Sequence, residues 1–180
     1  MRFLFLIAFA CAQVFSYEDL ASDARFDYQQ SDVVVAGRVV GVERTVEADE
    51  AAHQHGSSFF SFYAKVRVAA SYKGEVKLGH DVLVYVGGYW AKPESAETSL
   101  APALRNMGVH ALSLDVGGVY VLSLMKIPGT LGVAETWKPR SQQASILPVG
   151  LAEGVPTVQL EKLPPVTLDQ FIAEMKMRKK

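Results

Sequence analysis

Phe60-Ser61-Phe62-Tyr63-Ala64-Lys65-Val66-Arg67-Val68-Ala69-Ala70-Ser71 alternates with a period of two. Phe60, Phe62, Ala64, Val66, Val68 and Ala70 share one face, and Ser61, Tyr63, Lys65, Arg67 and Ser71 the other. Successive side chains point to opposite sides in a strand, so this run predicts a strand with one face in a core. The same order wound on a helix would mix both classes around the axis. Tyr72-Lys73-Gly74 ends the run as a turn. Lys77-Leu78-Gly79 is a second turn, and Asp81 to Val86 is the next strand. Two strands joined by a short polar connection predict an antiparallel pair.

On the N-terminal side, Val33 to Val42 is rich in β-branched residues and reads as a long strand. Gly37 and Gly41 interrupt it where a strand bulges or bends. Glu43 to Ser58 is charged and rich in small residues, so it reads as an exposed loop. Beyond the third strand, Gly87 to Asp115 is a long connection broken by Pro93 and Pro102, with a short helix expected over Ser99 to Met107. Asp115-Val116-Gly117-Gly118 is a turn. Val119 to Met125 is apolar on both faces, which predicts a central strand. Shorter β segments follow around Gly132 to Trp137, Ser145 to Val149 and Thr157 to Leu160.

Helices are expected at both ends. Tyr17 to Gln30 carries Leu20, Ala24, Phe26 and Tyr28 and reads as a short helix packed on one side of the domain. Near the C-terminus, Thr167 and Gln170 match a capping box, and Leu168, Phe171, Ile172 and Met175 fall at helical spacing. Lys176, Arg178, Lys179 and Lys180 suit the negative end of that helix dipole. The expected fold is therefore mainly β: a small OB-like antiparallel barrel over about 31–125, a C-terminal helix over about 167–178 and a short N-terminal helix, in one domain spanning 17–180.

The first twelve residues read as an export signal and not as part of that domain. Met1-Arg2 supplies the charge, Phe3 to Ala10 the apolar run, and Ala10-Cys11-Ala12 the small-x-small cleavage pattern. A second possible cut follows Ser16. Cleavage after Ala12 removes Cys11, the one cysteine, so the mature chain has neither disulfide nor thiolate nucleophile. It also removes Arg2, leaving 17 of the 18 basic residues against 19 acidic ones, a net charge of −2. That balance gives no bulk attraction to nucleic acid or anionic lipid. The expected location is the periplasm or the exterior, with no stable membrane insertion once the signal is cleaved.

The strand series Ser31 to Val39, Tyr63 to Val68 with Ser71-Tyr72-Lys73-Gly74, Gly79 to Val84 and Gly118 to Leu122 resembles the OB-fold of the tissue inhibitors of metalloproteinases and of netrin-type modules. It also resembles bacterial exported proteins of the same layout. Ser113 to Gly118 is similar to the inhibitor pattern before its later strand. The resemblance covers roughly Ser31 to Met125 and implies an architecture and a protein partner. The inhibitors' chelating N-terminal cysteine and their disulfides have no counterpart in a mature chain without cysteine, so that mechanism is not carried over to any residue here.

Candidate sites follow from residue chemistry. Gly87-Gly88-Tyr89-Trp90-Ala91-Lys92 leaves the third strand with two large aromatics, Tyr89 and Trp90, which bring contact area at low entropic cost. Tyr63 with Lys65 and Arg67 on the outward face of the second strand could stack and pair with sugars or bases. Packing of Trp90 over the barrel end, and of the C-terminal helix over the Tyr63 face, are the structural alternatives. His53 and His55, near Glu47, Asp49 and Glu50, are the candidate metal ligands. No nucleophile elbow, phosphate loop or carboxylate pair stands out, so catalysis and cofactors are not expected. The expected function is an exported, non-catalytic module that contacts a protein. Oligosaccharide binding and a metal-dependent role through His53-Gln54-His55 are the alternatives. Nucleic acid is not expected as a partner, and nothing in the sequence sets an oligomeric state.

Overall fold

A computed structural model of the chain describes residues 22–47, 58–91, 114–127, 136–141, 144–158 and 165–177. The expected export signal, His53, His55 and the expected helix over Ser99 to Met107 lie outside them. Among the described residues the structure is mainly β, with eight strands and two helices. The strands are β1 (Val33–Glu47), β2 (Ser58–Lys73), β3 (Asp81–Ala91), β4 (Val119–Ile127), β5 (Thr136–Pro139), β6 (Ile146–Ala152), β7 (Val155–Val158) and β8 (Val166–Thr167). Helix α1 covers residues 22–30, and α2 is Leu168–Lys176.

The strands are ordered β1-β2-β3-β5-β4-β6-β7-β8, and β1 also pairs with β4. That added pairing closes a five-strand ring of β1, β2, β3, β5 and β4. All its pairings are antiparallel except β3 with β5, which run parallel through Leu83↔Thr136 and Val84↔Trp137. The expectation of a wholly antiparallel arrangement is corrected at this one seam: β5 turns back from β4 and so returns in the direction of β3.

Alternation decides what fills the ring. Phe62, Ala64, Val66 and Val68 of β2 join Val35 and Val39 of β1, Val82, Val84 and Val86 of β3, and Tyr120, Leu122 and Leu124 of β4 in one buried cluster with Trp137. The β1–β2 register shifts between Ala36 and Gly37, where Ala69 of β2 is the extra residue, and between Val39 and Gly41, where Val40 of β1 is, so each glycine adjoins a bulge. Gly117, at φ +90°, turns the chain into β4, and its N–H and the Gly118 carbonyl pair with Val39.

A second core lies outside the ring. Val34 and Ala36 of β1 and Val121 of β4 pack with Ala24 and Tyr28 of α1, Leu147, Val158 and Phe171, Ile172 and Met175 of α2. This explains the two apolar faces of β4: Tyr120 to Leu124 is buried throughout, between the ring interior and the helical layer. Helix α2 begins at the expected cap, where the Thr167 hydroxyl accepts the Gln170 N–H at 3.3 Å and donates to Gln170 Oε1 at 2.9 Å. Helix α1 differs from its expected face. Ala24 and Tyr28 are buried, but Phe26 is 54% exposed and Asp27 takes the inward position, 4% exposed.

Candidate functional site

The β1–β2–β3 face turned away from the ring interior carries a charged ladder. Arg67 stands opposite Asp81 in the β2–β3 register. Its Nε and Nη2 donate to the two carboxylate oxygens of Asp81 at 2.9 and 3.1 Å. This forked geometry is the strongest form of such a pair. The Arg67 guanidinium holds the Asp81 carboxyl below its ordinary range, and Asp81 in turn raises Arg67. One step along β2, Lys65 pairs with Glu43 of β1, and that hydrogen bond raises the Lys65 ammonium. Arg38 is exposed and stands opposite Arg67 in the β1–β2 register.

Tyr63 occupies the next outward position, but it is not open to solvent. It is 2% exposed, and its ring meets that of Tyr85 edge-on at 5.6 Å and 62°. Tyr63, Lys65 and Arg67 thus follow one another along β2 with different roles. The tyrosine is packed, and both cations are committed to carboxylates on neighbouring strands. The apolar side chains of helix α2 join the cluster over β1 and β4, of which Tyr63 is not a member.

Tyr89 and Trp90 do not leave the sheet. The expectation that β3 ends at Val86 and gives way to a loop is corrected: β3 continues to Ala91. Tyr85 pairs with Tyr63 and Gly87 with Phe62, so Val86 is an extra residue between them. The strand absorbs its glycines as a bulge and keeps pairing. Beyond that bulge Tyr89 stands opposite Phe60, and Trp90 opposite Phe59. The last β3–β5 pair is Val84↔Trp137 and the last β1–β4 pair Arg38↔Val119. Past those points β1, β2 and β3 pair, among the described residues, only with each other. The β3 portion from Val84 to Ala91 is about 23 Å long at the usual rise of a strand.

One polar cluster is not visible in the sequence. The Asp27 carboxylate accepts the Ser141 and Ser145 hydroxyls at 2.5 and 2.6 Å, and Arg140 Nε lies 3.7 Å from its other oxygen. Ser145 Oγ also accepts the Ser141 N–H at 3.0 Å. The cluster ties α1 to the β5–β6 connection. The only sequence signal is a polar residue at helical spacing from Ala24 and Ser31. Among the described residues no group of three or more His, Cys, Asp or Glu is arranged to hold a metal ion, and no helix is long and apolar enough to cross a membrane.

No protein-family model matches the chain, and no curated protein or solved structure is similar enough to count as a match.

Proposed function

We propose that the protein is an exported, non-catalytic binding module built on an OB-type barrel, and that it contacts a protein partner through the far end of its β1–β2–β3 arm. The barrel reading is supported by the ring order β1-β2-β3-β5-β4-β1 with its single parallel seam at β3–β5. An OB-type barrel arranges five strands this way and binds ligands over its second and third strands and adjoining loops. Export is supported by the charged start, the apolar run and the Ala10-Cys11-Ala12 cleavage pattern.

The observation that carries the binding reading is the β2–β3 ladder beyond the ring. It brings Phe59, Phe60, Tyr89 and Trp90 to two adjacent register positions on a three-stranded platform. Strand pairing fixes the backbone that carries these aromatics before contact, so less backbone entropy is lost on binding than from a loop. The ion-paired ladder nearer the ring supports a folding role for Lys65 and Arg67, since both cations already have carboxylate partners.

The test is affinity capture from the host's envelope and secreted fractions, with native protein and the Tyr89→Ala/Trp90→Ala variant side by side. The captured protein is then purified and its affinity for each measured. A loss of at least about tenfold in the variant, at unchanged Tm, supports the reading. Equal affinities overturn the assignment of the arm. Quenching of tryptophan fluorescence by cell-wall oligosaccharides, absent in Trp90→Ala, would replace the protein partner with a sugar.

A further inference from the structure

A cleft of about 640 Å³ opens between α1, α2 and the end of β2. Phe26, Tyr28 and Met175 give it an apolar lining, and Arg25, Lys73 and Lys176 supply three cations. No Asp or Glu is among the described residues that line it. This is notable in a chain whose acidic residues, 19, outnumber its basic ones, 18.

Part of this charge serves the fold. Lys73 Nζ donates to the Tyr28 and Gln29 carbonyls at 3.0 and 2.7 Å, closing the C-terminal end of α1. Arg25 Nε donates to the Glu174 carbonyl of α2 at 3.2 Å. These bonds use two of the three ammonium protons of Lys73 and one of the five guanidinium N–H groups of Arg25. The two caps hold both cations at the cleft in a fixed position with donors remaining. Lys176 is exposed. Phe26 is unusual in staying half open: Arg140 lies over its ring at 5.0 Å, while the ring also lines the cleft. Held cations, an open aromatic ring and a buried thioether thus line one cleft, with Lys73 Nζ 5.9 Å over the Tyr28 ring.

We propose that this cleft binds a small amphiphilic anion, a carboxylate or phosphate monoester joined to a hydrocarbon or aromatic body. The anionic group is held by Arg25, Lys73 and Lys176, and the apolar body lies against Phe26, Tyr28 and Met175. The site is separate from the β1–β2–β3 arm and does not depend on the function proposed for it.

Isothermal titration calorimetry on the purified protein tests this with octanoate, octyl phosphate, octanol, inorganic phosphate and acetate, all as monomers. The expected result is one saturable site per chain for octanoate or octyl phosphate, with octanol at least about tenfold weaker. Affinity should fall as salt rises. It should fall about tenfold in Lys176→Glu, with Tm lowered only slightly by a negative charge at the C-terminal end of the helix. Phe26→Ser should weaken octanoate but leave the salt dependence in place. The better of the two octyl ligands identifies the headgroup. The proposal is overturned by no saturable heat, by octanol binding as well as octanoate, or by Lys176→Glu binding unchanged. Inorganic phosphate or acetate binding as tightly as its octyl counterpart overturns it too. So does binding confined to anionic vesicles, which would be attraction of a basic surface to a membrane.

Discussion

Arg67 and Asp81 face each other directly across β2 and β3, joined by two hydrogen bonds of 2.9 and 3.1 Å. The pair sits where β3 begins and so helps fix the β2–β3 register, on which the positions of Tyr89 and Trp90 depend. Because Arg67 lowers the Asp81 carboxyl, the folded state binds that proton less readily than the unfolded chain does. The stabilisation is therefore present above the ordinary carboxyl value of 3.8 and is lost as pH falls through the lower folded value. Both side chains reach solvent, which keeps the effect small. Asp81→Asn is expected to lower Tm at pH 7 by about 1–3 °C. That difference should close as thermal scans are moved to pH values below the folded one.

The Asp27 cluster should matter much more, because Asp27 and Ser145 are buried. Truncation in Asp27→Ala strips the Ser145 hydroxyl, 1% exposed, of its acceptor and leaves Arg140 without its nearest carboxylate. Leaving such donors unsatisfied is expected to cost about 2–4 kcal/mol in urea unfolding. Ser145→Ala alone should cost about 1–2 kcal/mol. The two changes together should cost less than their sum, since both remove the same bond. Additive costs would mean that the cluster does not act as one fastening.

How much of this was legible in the sequence depends on how local the cause is. The alternation of Phe62, Ala64, Val66 and Val68 marks the ring interior because the period of two belongs to the strand itself. The two apolar faces of β4 announce two covered faces for the same reason. Tyr63 shares the polar face of β2 by sequence yet is buried, because its cover comes from chain far away. Phe26 and Asp27 exchange the positions their hydropathy predicts, since the partners that reward the exchange, Ser141 and Ser145, lie 114 and 118 residues on. Gly87-Gly88 reads as a strand end because glycine weakens a strand. The β2 ladder, continuous from Ser58, supplies the pairing that carries β3 through. Of the candidate residues, the grouping of Tyr63, Lys65 and Arg67 was visible, but their carboxylate partners on β1 and β3 needed the register.

Helix α2 is expected to be integral to the folded unit. Phe171 is 4% exposed and packs in the outer cluster with Val34, Ala36 and Val121. Phe171→Ala should cost about 3–5 kcal/mol, read as a fall in urea midpoint at constant m. This is a large share of the roughly 5–15 kcal/mol available to a domain. A loss under about 1 kcal/mol, the level of a surface change, would mean that the helix is a detachable appendage.

Gly37 and Gly41 both sit at register shifts of β1, yet they should respond oppositely to the same change. A Cβ on Gly37 would lie 2.6 Å from Val66 Cγ1 and 2.7 Å from the Arg67 carbonyl oxygen. The valine could turn, but the carbonyl belongs to the neighbouring strand and moves only with its ladder. Gly37→Ala is therefore expected to cost about 2–3 kcal/mol by overpacking. A Cβ on Gly41 would meet nothing within 4 Å. Its φ is outside the left-handed region, so alanine is unstrained there and narrows the unfolded ensemble. Gly41→Ala should be neutral or stabilising by up to about 1 kcal/mol. Urea unfolding of the two variants measures both. Equal destabilisation would mean that the shift at Gly41 also requires glycine for its backbone, and that space alone does not decide which bulge tolerates a side chain.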